Sequence, residues 1–361
     1  MLRLTLSLVC FGLAGQGLAA DPSQPGSFPS STIEFRNLVD TSRTAQKETE
    51  SSRPRLFKAR RLEEAKPSGR PVPIKVHLPE GPGPFPVIIV SHGAGGDWDT
   101  HFAQAKHLAS HGYAVLCLEH VGSNRERMTS GLQLMQNLDA MIHDADEVLA
   151  RPKDVSFALD RAGDWNRDHP KMRGKFDLSR IGMMGHSFGA YTTMVVCGMR
   201  PALDWLKPRV EPGKGLGPDQ ADPRVKCGVA LSPQGIGEPF FIRESFVSLK
   251  VPLLGISGTL DKQQNGLPAK NRREAFPLWG GKGHVFVWIT DASHLDFTDS
   301  TGTDRKAQPS ASREDVQPVT KAATLLFFDQ HLMATKPSLL QKEALAPYRK
   351  GAVKQVEVMS R

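Results

Sequence analysis

The segment from Ile181 to Ala190 reads Ile-Gly-Met-Met-Gly-His-Ser-Phe-Gly-Ala, an apolar stretch that stops at Gly185-His186-Ser187-Phe188-Gly189 and continues with helical character. So abrupt a turn from strand to helix leaves no room for Cβ atoms on either side of its central residue, which accounts for the flanking glycines. Ser187 is then held in a strained conformation, with the first N–H groups of the following helix beside it. Such a turn needs a buried sheet behind it, and the rest of the chain must supply that sheet.

Short apolar runs recur at Pro73 to Leu78, Val87 to Ser91, Ala114 to Leu118, Ile181 to Gly185, Cys227 to Leu231, Leu253 to Ser257 and Val285 to Thr290. Runs of this length without alternation predict strands buried on both faces. Helical segments are predicted between them, at about Thr100 to Ser110, Asp139 to Ala162, Phe188 to Met199, Pro268 to Phe276 and Pro318 to Leu332. Strands alternating with helices imply an α/β fold, a mostly parallel sheet covered on both sides. Two long polar segments, Gly122 to Leu138 and Ala202 to Arg224, are expected to overhang the carboxyl edge of that sheet, where ligands bind in such folds.

The ends differ from the middle. Residues 1–20, MLRLTLSLVCFGLAGQGLAA, have one arginine, an apolar stretch and small residues before Asp21, as a secretory signal peptide does, so the protein is expected to be exported to the periplasm or the medium. Residues 21–70 lack a sustained hydrophobic period and read as an N-terminal arm or linker; residues 71–335 are expected to form the main folded domain, which carries the candidate site; residues 336–361 read as a basic C-terminal tail. The formal charge of +8 lies at these ends, since residues 71–335 carry 29 charges of each sign. A nucleic-acid-binding domain would keep its basic stripe on the folded body, so that class is set aside. Weak attachment of the basic termini to an anionic surface is compatible with this distribution, and no transmembrane segment is expected. Without the first 20 residues three cysteines remain, Cys117, Cys197 and Cys227, all in apolar runs that suit buried free thiols; Cys197 with Cys227 is the one pairing open to test.

Serine becomes a useful nucleophile when a base takes its proton and an acid orients the base. The run ending in Asp291-Ala292-Ser293-His294 places His294 just beyond a strand, on the edge that carries Ser187, and makes it the candidate base. The buried run from Leu253 ends in a turn that carries Asp261 to the same edge as candidate acid, with Asp291 and Asp296 as alternatives. An oxyanion hole requires two backbone donors; the N–H groups of Phe188 and of Ala94, in Ser91-His92-Gly93-Ala94-Gly95-Gly96, are the candidates. His92, Gly93 and Trp98 are candidate substrate contacts, and residues 123–138 a candidate wall. His107 and His111 have helical spacing but no acidic companion, so no metal site is expected, nor any cofactor.

The segments SHGAGG, LASHGYAVLCLEHVGSN, RPKDVSFALDR, DLSRIGMMGHSFGA, DPRVKCGVALSPQG, GISGTLD and DASHLDF, spanning about residues 75–300, resemble the α/β-hydrolase superfamily. Within it they are similar to bacterial dienelactone-hydrolase-like and platelet-activating-factor-acetylhydrolase-like serine hydrolases. The resemblance implies a sheet of about eight strands and hydrolysis of carboxylic esters, short- to medium-chain, through a Ser-Asp-His triad. Polyester or phospholipid acyl esters are the alternative substrates, and a non-catalytic binding scaffold is the alternative class. Two departures stand out. Dienelactone hydrolases use a cysteine where this chain has Ser187. Animal phospholipid acetylhydrolases take their acid from an Ala-Leu-Asp sequence after the elbow strand, where this chain has Ala230-Leu231-Ser232.

Overall fold

The computed structural model describes residues 21–43, 69–131, 133–263, 266–299, 313–333, 340–351 and 353–361. The expected signal peptide, half of the expected linker and the start of the expected tail lie outside these residues. The chain forms β1 (Ser30–Phe35), β2 (Val39–Asp40), β3 (Arg70–Pro71), β4 (Ile74–Pro79), β5 (Phe85–Ser91), α1 (Phe102–Ser110), β6 (Ala114–Leu118), α2 (Arg125–Met128), α3 (Leu134–His143), α4 (Ala145–Asp168) and β7 (Phe176–His186). Beyond them come α5 (Phe188–Val196), β8 (Val225–Leu231), β9 (Leu253–Leu260), α6 (Lys270–Glu274), β10 (Val285–Ser293), α7 (Arg313–Leu332) and β11 (Val356–Ser360).

Nine strands make the main sheet in the order β1-β4-β6-β5-β7-β8-β9-β10-β11, against about eight expected. The six from β6 to β10 run parallel, while β1, β4 and β11 are antiparallel to their neighbours. Every residue of β5 and β6 is buried, as the unbroken apolar runs require when helices cover both faces. From β5 the chain moves to β6 on one side and then returns to β7 on the other. This reversal opens a crevice between the loops after β5 and β7, and Ser91 lies directly opposite Gly185 at its base.

The two extra edges correct the reading of the termini. Residues 30–35 pair with β4 in register Ile33 to Val76, and Phe35 stacks on Trp165 at 4.2 Å, so this part of the expected arm belongs to the folded body. Residues 356–360, in the expected tail, pair with β10 from Val285 to Ile289. Both strands are short and half-exposed, and their stability comes from a partner far away in sequence. The helix expected from Asp139 to Ala162 divides at Asp144, whose carboxylate accepts the N–H of Asp146 and caps α4. No helix among the described residues is long and apolar enough to cross a membrane.

Candidate active site

Ser187 sits between β7 and α5 at φ 57° and ψ −116°, outside the regions L-residues ordinarily occupy. Two glycines make that turn possible. A Cβ on Gly185 would lie 2.3 Å from the Gly189 carbonyl oxygen, and one on Gly189 would lie 1.9 Å from that of Ser91. The strain is held from both sides, by the Ser187 N–H on the Leu231 carbonyl at 3.0 Å and by the Gln234 side-chain amide on the Ser187 carbonyl at 3.0 Å.

His294 Nε2 lies 3.0 Å from Ser187 Oγ, and its Nδ1 lies 2.7 Å from Asp261 Oδ1. With the hydroxyl donating to Nε2, the ring proton resides on Nδ1 and is donated to the carboxylate. Ser257 donates to the other Asp261 oxygen at 2.8 Å. Burial alone would raise the Asp261 pKa, but the adjacent Arg272 guanidinium and His294 outweigh it and hold the carboxyl well below its usual range. The two alternative acids face elsewhere. Asp296 accepts from the N–H and hydroxyl of Ser293, closing its own turn, and Asp291 is half-buried in the irregular end of β10, at φ 62°. Ser232, where the acetylhydrolase pattern would put an aspartate, occupies a left-handed turn at φ 55°.

The opposite wall is the loop after β5. His92 is buried, and its Nε2 accepts the N–H of His120 at 3.0 Å, which leaves the ring proton on Nδ1 to be donated to the Gly93 carbonyl at 2.6 Å. The Gly96 N–H donates to the same carbonyl at 3.1 Å. In a trans peptide the carbonyl and the next N–H point in opposite directions, so anchoring Gly93 O turns the Ala94 N–H the other way. Among the described residues neither the Ala94 nor the Phe188 N–H has a hydrogen-bond acceptor. Gly93 borders the nucleophile: a Cβ there would stand 3.4 Å from that of Ser187. His92 is therefore no substrate contact, and the sequence expectation is corrected: it is enclosed, and it shapes the loop. Trp98 is corrected likewise, for its ring is buried under the cations of Arg36 and Lys75, at 4.7 and 4.8 Å from its centroid. The segment from Ser123 borders the same loop through Gly95 N–H to Ser123 O at 2.9 Å and Arg125 N–H to Gly96 O at 2.9 Å.

A solved ferulic acid esterase from Streptomyces cinnamoneus superposes with a TM-score of 0.57 over 94% of this chain and 98% of that one, at 19% identity. The chain has the α/β-hydrolase fold. The family model for platelet-activating factor acetylhydrolase, isoform II, matches residues 70–132 of this chain, the stretch from β3 through the loop after β5 to α2. The platelet-activating factor acetylhydrolase of Canis lupus familiaris is 26% identical over 175 residues, which span 41% of this chain and 34% of the dog protein.

Several residues at the site escaped the sequence reading. Arg272, on α6, is fully buried; its Nη2 lies 3.2 Å from Asp261 Oδ1, and its other nitrogens donate to the carbonyls of Asp261, Ser232 and Pro233 at 2.9 to 3.0 Å. His186 Nε2 lies 2.9 Å from the His294 carbonyl and steadies the turn that presents the imidazole; its burial, with the nearby His294, depresses its pKa strongly and keeps it neutral. Beneath the β5 loop, Ser91 Oγ, His120 and Asp154 form a second buried row at 2.8 Å per contact, closed by Arg70 on Asp154. A lone arginine or histidine in a polar segment carries no local signal for these positions. Only the pairing of distant strands reveals them.

Proposed function

We propose that the protein hydrolyses carboxylic esters by acyl transfer through Ser187, with His294 as base, Asp261 as its orienting acid, and the N–H groups of Phe188 and Ala94 as the oxyanion hole. The observation that carries this reading is the imidazole of His294 within hydrogen-bond distance of both Ser187 Oγ and the buried Asp261 carboxylate. The ester-cleaving name of the dog relative supports the same class, as does the α/β-hydrolase fold.

In the first step Ser187 Oγ bonds to the ester carbonyl carbon while its proton passes to His294 Nε2, and the carbonyl oxygen takes up the electron pair facing the two N–H groups. Collapse of this intermediate breaks the bond to the alcohol oxygen, which leaves with the proton from His294. Water then attacks the acyl-serine with the same base, releasing the acid and restoring Ser187. Leu260 and Leu295, next in sequence to Asp261 and His294, are exposed apolar side chains, which favours substrates with short or medium apolar groups over charged ones.

The test is hydrolysis of p-nitrophenyl esters from acetate to palmitate by the wild type and by Ser187→Ala. Activity confined to the wild type, greatest at short or medium chains, is expected. Equal turnover by the purified variant would remove Ser187 from the mechanism. Absence of both turnover and fluorophosphonate labelling would favour the binding-scaffold reading.

A further inference from the structure

Arg151 lies on α4 one residue before Pro152, and the proline determines what surrounds it. Pro152 has no N–H, so the Val148 carbonyl four residues earlier loses its helical donor. The Tyr191 hydroxyl of α5 donates to that carbonyl instead, at 3.0 Å. The turn bearing Arg151 is thereby fastened to the helix that begins at Phe188.

From there the Arg151 side chain reaches both halves of the proposed oxyanion hole. Its Nη2 donates to the His92 carbonyl at 2.7 Å, at the head of the loop that carries the Ala94 N–H. Its guanidinium carbon stands 4.2 Å from the ring centroid of Phe188, whose backbone carries the other N–H. Arg151 is fully buried, yet its Nε and Nη1 have no hydrogen-bond partner among the described residues. The neighbouring acids are engaged by Arg70, which takes Asp154 at 2.8 and 2.9 Å and Glu147 at 3.1 and 3.3 Å. A guanidinium whose only task was packing would be expected to have its nitrogens satisfied, because an incompletely paired buried charge is costly.

We propose that Arg151 is a positioning residue for the oxyanion hole, bracing the loop and the helix start that bear its two donors and setting a positive charge behind them; this rests on the ester-hydrolase reading above. The charge stabilises a negative oxygen in front of those donors more than the neutral ester that precedes it, so its effect falls on the chemical step rather than on substrate binding. Burial draws the Arg151 pKa down to about 9, the direction expected for a cation with incomplete compensation.

Three substitutions separate the contributions. Arg151→Lys keeps charge, Arg151→Gln keeps a donor for the His92 carbonyl, and Arg151→Met removes both. Each is assayed on p-nitrophenyl butyrate with active sites counted by a fluorophosphonate probe, and each is titrated with an alkyl trifluoromethyl ketone, which forms an anionic adduct on a reactive serine. Arg151→Met is expected to lose roughly tenfold to a hundredfold in kcat per labelled site, with KM changed by less than about threefold and ketone affinity weakened in parallel. Arg151→Lys should recover more than Arg151→Gln. If kcat per labelled site and ketone affinity stay within about twofold of wild type in the Lys and Gln variants, the proposal is overturned, whatever the melting temperature does and even if the Met variant fails to fold. Failure of the wild type to be labelled at Ser187 would instead overturn the hydrolase reading, and this one with it.

Discussion

Lowering the pH from 7.5 to 5.5 should strip this protein of much of its stability, because its histidines are so deeply buried. Burial holds His77, His101 and His107 at a pKa of about 4 and His120 at about 3, and it pushes His92 and His186 well below their ordinary range. A histidine depressed in this way stays neutral in the native state while the unfolded chain takes up a proton at about 6.5. Its contribution is complete above that pH and is lost as the pH falls towards 4. At pH 5.5, one unit below the unfolded value, each of the four with a stated pKa gives up on the order of 1 kcal/mol, together several kcal/mol, against a total stability of roughly 5 to 15 kcal/mol for a domain. Urea unfolding followed by tryptophan fluorescence at pH 7.5, 6.5 and 5.5 measures the loss directly. His101, fully buried with both ring nitrogens unpartnered among the described residues, provides the control. His101→Phe should reduce the pH slope by about one proton, or roughly 1.4 kcal/mol per pH unit at the steepest. A wild-type loss below about 1 kcal/mol between pH 7.5 and 5.5 would refute the reasoning.

Two further outcomes follow from packing. Gly189→Ala should cost about 3 kcal/mol in urea unfolding and at least about a hundredfold in ester turnover, since its Cβ would meet the Ser91 carbonyl at 1.9 Å and both groups are backbone; near-native activity would contradict the elbow geometry. Cys117, Cys197 and Cys227 are free and buried with thiol pKa values raised by burial, so they should resist a thiol reagent in the native protein and react fully in guanidinium. A Cys197 to Cys227 bridge found by peptide mapping under non-reducing conditions would overturn that expectation.

What the chain discloses unaided depends on how local each constraint is. Ser187 is legible because the turn's own crowding dictates the glycines around it. His294 and Asp261 are legible because each follows a buried strand that ends at the same sheet edge. The edge strands at Ser30–Phe35 and Val356–Ser360 are not, for many of their side chains face outward and their partners lie 39 to 75 residues away. Trp98 and His92 misled for the opposite reason: they stand in the loop beside Ser187, yet one is capped by Arg36 and Lys75 and the other turns inward to Gly93 and His120. Proximity in sequence to a functional loop does not determine which way a side chain turns. Arg151 and Arg272 are the hardest to anticipate, because a cation in a helix ordinarily marks a solvent face.

These two buried arginines divide the site between them, and they differ in how their charge is met. Arg151 retains donors that have no partner among the described residues, whereas Arg272 is engaged with the Asp261 carboxylate and with the backbone carbonyls of Asp261, Ser232, Pro233 and Lys262. Replacing Arg272 by Met would take the guanidinium from all of these acceptors in a buried place, leaving Ser257 and His294 on the carboxylate, at an expected cost of about 3 to 5 kcal/mol. Without the cation, a large part of what holds the Asp261 pKa down is lost and the pKa rises, weakening the carboxylate that holds the His294 ring. Activity per labelled serine should therefore fall together with the melting temperature. Arg272→Lys should restore little of either, because one ammonium cannot reach the acceptors that a planar guanidinium spans. A Met variant with wild-type melting and turnover would mean that Ser257 and the strand end alone fix Asp261, leaving Arg272 without a part in the chemistry.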